Sequence, residues 1–122
     1  MEVKWLDYAK EDLKDFITKA HPGTEKTALA YIEKIVRKTN SILSSNEGKK
    51  SGKLFCYKGN DEIRIIVIEN YQIIYALKPS EEIYIIGAIY KKIDFNQYIK
   101  RLLREIWYKK YLRGNKNGWK ER

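Results

Sequence analysis

The residues best suited to chemistry in this chain are Tyr90-Lys91-Lys92, a tyrosine and two lysines that close an apolar run. Asp94, two residues on, is a helix-cap candidate. Polar and cationic side chains at a strand end, ahead of a helix N-terminus with unpaired backbone N–H groups, suit a phosphate. The charge continues past them. Residues 91–122 hold 11 Lys/Arg against 3 Asp/Glu, whereas residues 1–90 hold 14 against 13, so nearly all of the net +9 lies in the last quarter. Trp107, Tyr108, Tyr111 and Trp119 are interleaved with those cations. Aromatic rings stack on bases and Lys/Arg meet phosphates, so RNA contact is one use for the block. Docking of an acidic protein partner is the other.

Other chemistries find few residues. Cys56 is the single cysteine, so there is no intramolecular disulfide and no Cys/His cluster for zinc; neither metal nor cofactor is expected. His21 is the single histidine and sits in His21-Pro22-Gly23, where a turn role outweighs a catalytic one. No apolar run approaches the ~20 residues that span a bilayer. With no secretory leader read at the N-terminus, the cytoplasm is the expected compartment and no membrane partner is expected.

The elements that must position these residues follow from hydrophobic spacing. Glu2 to Leu6 alternates as a short strand, and Asp7 is placed to cap a helix carrying Ala9, Leu13, Phe16 and Ile17. Pro22 and Gly23 end it. Thr24 then caps a second helix to about Ser44, with Ala28, Tyr31, Ile32, Ile35, Thr39, Ile42 and Leu43 on its apolar side. The two make an α-hairpin. Residues 44–52 read as a polar loop containing Lys49 and Lys50.

Period two then takes over. Strands are expected over Lys53–Tyr57, Ile63–Ile68, Tyr71–Leu77 and Glu82–Tyr90, joined by hairpin-length turns into an antiparallel meander. Consecutive apolar residues at Ile65–Ile68 and Ile83–Ile86 predict central strands covered on both faces. From Asp94 a last helix runs to about Leu112, with Phe95, Tyr98, Ile99, Leu102, Leu103 and Ile106 as its stripe and Lys100, Arg101 and Arg104 opposite. The fold class is α+β: an N-terminal strand, α-hairpin, antiparallel meander and C-terminal helix in one domain over residues 1–113, with a basic flexible tail over 114–122.

Several of these residues carry a family resemblance. Val3-Lys4-Trp5-Leu6-Asp7-Tyr8-Ala9-Lys10-Glu11-Asp12-Leu13 resembles the opening of RelE/ParE superfamily toxins, in which a strand leads into a helix with Ala-x-x-Asp-Leu. Arg64, seven residues before Tyr71-Gln72-Ile73-Ile74-Tyr75, is similar to the family's Arg…Tyr-x-Ile-x-Tyr hairpin. Tyr90-Lys91-Lys92 stands where relatives have a His, Tyr or Gly followed by basic residues. The likeness spans roughly residues 2–100.

This resemblance implies the toxin of a type II toxin–antitoxin system, held by a cognate acidic antitoxin. RelE-like members cut mRNA in the ribosomal A site; ParE-like members poison DNA gyrase and have no nuclease role. A metal-independent endoribonuclease must take a proton from a 2′-hydroxyl, stabilise a charged phosphorane and protonate the leaving oxygen. Position by position, the resemblance carries over Lys92 and Tyr98; with Arg64 as a cation compensating from a neighbouring position and Tyr90 from the strand-end group, they are the catalytic candidates. Lys49, Lys50, Lys53, Lys91, Lys100, Arg101 and Arg104 are the nucleic-acid contacts. Ile63, Ile65 and Gln72 stand where RelE-like relatives carry cations. Arg64 beside Asp61 and Glu62 reads equally as a surface ion pair. Tyr71 and Tyr75 read as cross-strand packing, Tyr98 as core, and Lys49 and Lys50 as loop solubility. A non-catalytic nucleic-acid-binding domain would share the charge and the aromatics.

Overall fold

The computed structural model describes residues 2–20, 23, 25–91, 94–102 and 104. The chain divides into two compact units, residues 1–91 and 92–122.

In the first unit, β1 (Val3–Trp5) leads into α1 (Asp7–Ala20) and α2 (Glu25–Leu43). Four strands follow: β2 (Lys53–Lys58), β3 (Asp61–Ile68), β4 (Tyr71–Leu77) and β5 (Ile83–Tyr90). The fold is α+β around a five-stranded mixed sheet, with β1 beside β5, then β4, β3 and β2. From β2 to β5 the strands run antiparallel in chain order, as their short turns require. The simple meander needs one correction. β1 joins in parallel along β5, with Val3 opposite Ile83 and Trp5 opposite Ile85.

The α-hairpin packs on one face of the sheet. Ala9, Leu13 and Ile17 of α1 and Ala28, Ile35 and Leu43 of α2 share a core with Tyr71, Ile73, Tyr75, Leu77, Ile83, Ile85 and Ala88. Fully burying each Leu or Ile side chain among them contributes about 1.5–3 kcal/mol, which is what holds two amphipathic helices on the sheet. Thr39 is fully buried in α2, and its hydroxyl donates to the Ile35 carbonyl at 2.7 Å. That bond satisfies a polar group the core cannot otherwise accommodate. The Trp5 indole N–H donates to Asn40 Oδ1 at 2.8 Å, tying β1 to α2.

The opposite face of the central strands is buried too, through Ile63, Ile74, Ala76, Ile86 and Ile89. Double coverage therefore holds for β4 and β5. It fails on β3, where Ile65 and Ile66 are half-buried and Val67 is exposed. β3 lies one strand in from the edge, so its neighbours shield it less completely. Ile42, expected on the α2 stripe, is 38% exposed. Asp7 lies inside the first turn of α1 and not at its cap, because the Leu6 carbonyl already accepts from Lys10 N.

In the second unit, α3 (Phe95–Arg101) begins at Asp94, whose carboxylate accepts from Asn96 N and Gln97 N. This is the N-cap expected from the sequence. Tyr98, Ile99 and Leu102 are buried. The expected extension of this helix to Leu112 and the tail 114–122 lie outside the described residues, as does the cap expected at Thr24.

Candidate functional site

Arg64 projects from β3, opposite Leu54 on β2 and Tyr75 on β4. Its guanidinium is closely held. Nε donates to Glu62 Oε1 at 2.8 Å, and Nη1 donates to the carbonyls of Lys50 at 3.1 Å and Gly52 at 2.6 Å. Only 15% of the side chain is exposed. Glu62 and Arg64 are two apart on one strand and hence share a face, which is why they meet. Asp61, the other carboxylate considered for Arg64, instead pairs with Lys78 at 3.6 Å.

Tyr75 continues the same structure. Its hydroxyl donates to the Lys49 carbonyl at 2.9 Å and accepts from Gly52 N at 3.0 Å. Burial pushes its pKa up, so the hydroxyl keeps its proton and remains a donor at neutral pH. Gly52 allows this approach, because a Cβ there would lie 2.6 Å from the Tyr75 ring and hydroxyl. Arg64 and Tyr75 thus staple residues 49–52 to the sheet.

The loop lysines are also engaged. Lys49 pairs with Glu81, and Lys50 Nζ lies 3.8 Å from Glu62 Oε2. Lys53, at the start of β2, is exposed. The Arg64–Glu62 pair is the ion pair read from the sequence, whereas Tyr75, Gly52 and Glu81 are the members of this cluster that the sequence reading missed as partners.

Tyr90 and Lys91 lie elsewhere. Tyr90 ends β5 opposite Tyr71, with ring centroids 5.5 Å apart. Tyr71 in turn meets Tyr31 edge-on at 6.4 Å, and burial raises its pKa. Tyr71 and Tyr75 are therefore packing residues, as their even spacing predicted. Lys91 is exposed, and its N–H donates to the Asn70 carbonyl at 2.9 Å. Along β4 the partners of Arg64 and Tyr90 stand four residues apart, and β3 and β5 flank β4 on opposite sides. This places Arg64 and Tyr90 on the order of 16 Å apart. The expected convergence of Arg64 with the Tyr90-Lys91 group is not found. The reason is register: Arg64 stands midway along β3, while Tyr90 is at the far end of β5.

Lys92 lies outside the described residues. In the second unit, Tyr98 is buried and the Arg101 guanidinium lies 5.9 Å from its ring centroid, while Lys100, Arg101 and Arg104 are exposed. Among the described residues no group of His, Cys, Asp and Glu could hold a metal ion. A cavity of about 250 Å³ is lined by Glu2, Lys4, Ser80, Glu81 and Glu82, a set too acidic for a phosphate backbone. No described helix is long and apolar enough to cross a membrane. No protein-family model matches the chain, and no curated protein matches it.

Proposed function

We propose that this chain is the toxin of a type II toxin–antitoxin pair, a RelE/ParE-like cytoplasmic protein that inhibits growth by ribosome-dependent mRNA cleavage. Its partner is a cognate acidic antitoxin. The observation that carries the reading is the element order: a strand, an α-hairpin and four antiparallel strands, with the first strand returning beside the last. That order agrees with the resemblance in the Ala9, Asp12, Leu13 helix and the Arg64…Tyr71-x-Ile73-x-Tyr75 hairpin. Tyr90 at the end of β5 is the cleavage candidate of the first unit, with Lys91 beside it as a nucleic-acid contact and Lys92 and Tyr98 following in sequence.

A second reading has its own support. Arg64, Lys49 and Lys50 are each occupied by a carboxylate or by backbone carbonyls. A chain whose Arg64, Lys49 and Lys50 are already engaged suits a ParE-like gyrase poison, or a non-catalytic nucleic-acid-binding domain, better than a nuclease.

Induction of the chain alone in bacteria tests both. Growth arrest with transcripts cut inside codons at the ribosomal A site is the expected result. Arrest with protein-linked DNA breaks and intact transcripts moves the function to gyrase. Undisturbed growth removes the toxin reading. Lys92→Ala should reduce cleavage by ~10²-fold if it stabilises developing negative charge. Tyr98→Phe keeps the ring and deletes only the hydroxyl, so full toxicity in that variant makes Tyr98 a packing residue.

A further inference from the structure

Tyr71 combines a well-packed ring with an unsatisfied hydroxyl. The residue is 2% exposed, its ring edge-on to Tyr31 of α2 and tilted against Tyr90 of β5. Among the described residues its hydroxyl has no hydrogen-bond partner. Tyr75, on the same face of β4, shows the contrast: its hydroxyl is held by the Lys49 carbonyl and the Gly52 N–H. Buried polar atoms without a partner are rare, because each forfeits its bonds to water and gains none in return. Phenylalanine would fill the same space without that loss. The hydroxyl of Tyr71 therefore calls for a function beyond packing.

Its surroundings select an anion. Burial raises the Tyr71 pKa, and the Tyr31 and Tyr90 phenols raise it further, so at neutral pH the hydroxyl keeps its proton and donates. Lys34, one turn along α2 from Tyr31, brings its ammonium to 5.9 Å from the Tyr31 ring centroid. That charge is in surplus. Lys34 and Lys38 share the one Glu69 carboxylate, which takes its hydrogen bond from Lys38, while Lys34 Nζ stands 3.9 Å away. A water molecule would satisfy the hydroxyl but leave the extra cation unmatched. The donors stand on α2 and on the strands beneath it, so they approach a ligand from different sides. A phosphate group, with acceptor oxygens in several directions, suits them better than a planar carboxylate.

We propose that the Tyr71 hydroxyl and the Lys34 ammonium, flanked by the rings of Tyr31 and Tyr90, bind a phosphate or phosphate-monoester dianion between α2 and the end of the sheet. The proposal does not rest on the toxin reading: binding is read on the purified chain, and neither Lys92 nor Tyr98 enters it.

Titration of the full chain with inorganic phosphate, at an ionic strength held constant with chloride, should show saturable binding by calorimetry. Tyr71→Phe deletes one donor to a charged acceptor and should weaken binding by about tenfold or more. Lys34→Gln should weaken it as well, at a position exposed enough for the fold to survive. Stability is the second readout. Without phosphate, Tyr71→Phe should unfold at the same urea concentration as the parent chain or a higher one, because it removes an unpaired group. Adding phosphate should raise the midpoint of the parent more than that of the variant. Methyl phosphate separates the sources: the tighter binder of the two identifies a site for a phosphorylated molecule or for the free ion. Destabilisation by Tyr71→Phe without phosphate overturns the proposal, because the hydroxyl then has a partner such as a buried water. Absence of saturable binding also overturns it. So does binding that both variants leave unchanged, which would place the phosphate on the basic block of residues 91–122.

Discussion

Arg64 illustrates how little a cation's presence says about its use. Its guanidinium makes a hydrogen-bonded ion pair and two carbonyl contacts, so its removal leaves Glu62 and two loop carbonyls without their donor. Arg64→Ala should lower stability by about 1–3 kcal/mol, read from urea unfolding. Arg64→Lys should recover little of that loss, because an ammonium cannot span three acceptors from one plane. Under the proposed toxin function, any loss of toxicity in Arg64→Ala should then parallel the loss of folded protein, and a folded, inactive variant would restore a role in chemistry. Tyr75→Phe is the matching test. It strands the Gly52 N–H and Lys49 carbonyl and should cost about 1–3 kcal/mol. Proteolysis within residues 44–52 should accelerate in this variant, since the staple on that loop is cut.

At the level of elements, the turn between β3 and β4 holds Glu69 at φ 57°, a left-handed conformation unusual for a residue with a Cβ. Lys38 and Lys34 of α2 meet its carboxylate. The hydrogen bond from Lys38 and the charges of both lysines hold the Glu69 pKa below the usual carboxylate range. A lowered folded pKa means the ion pair stabilises the fold above the unfolded glutamate value. That contribution is lost as pH falls through the lower folded value. Glu69→Gln should therefore flatten the acid side of the stability profile below the ordinary glutamate range, with no change near neutrality in its slope. In the second unit, Asp94→Ala removes the acceptor for Asn96 N and Gln97 N. It should destabilise α3 by about 1 kcal/mol, seen as faster exchange of those two amides.

At the scale of the whole molecule, charge is divided between regions. Within residues 1–91 the described ion pairs engage Lys34, Lys38, Lys49, Lys50, Arg64 and Lys78 with four acidic side chains and leave little net field. The uncompensated charge belongs to residues 91–122. Residues 105–122 alone hold six Lys/Arg against two Asp/Glu. If that block contacts single-stranded RNA, replacing those six with glutamine should reduce the slope of log affinity against log salt by about 4. An unchanged slope would assign the block to a protein partner.

Much of this architecture was legible in the amino-acid sequence because it depends on local spacing. The limits of β4, the apolar stripes of α1 and α2, the Asp94 cap and the shared face of Tyr71 and Tyr75 all follow from periods of 3.6 or 2 and from turn and cap chemistry. What tertiary structure decided were the relations between distant segments. The parallel entry of β1 beside β5 and the separation of Arg64 from Tyr90 are matters of strand order and register, which no local pattern encodes. The fate of Arg64 depended on a loop 12–14 residues earlier returning its carbonyls to the sheet, and on Gly52 leaving room for the Tyr75 ring. Sequence spacing sorts residues onto faces; only the packed chain determines which groups on those faces are already satisfied.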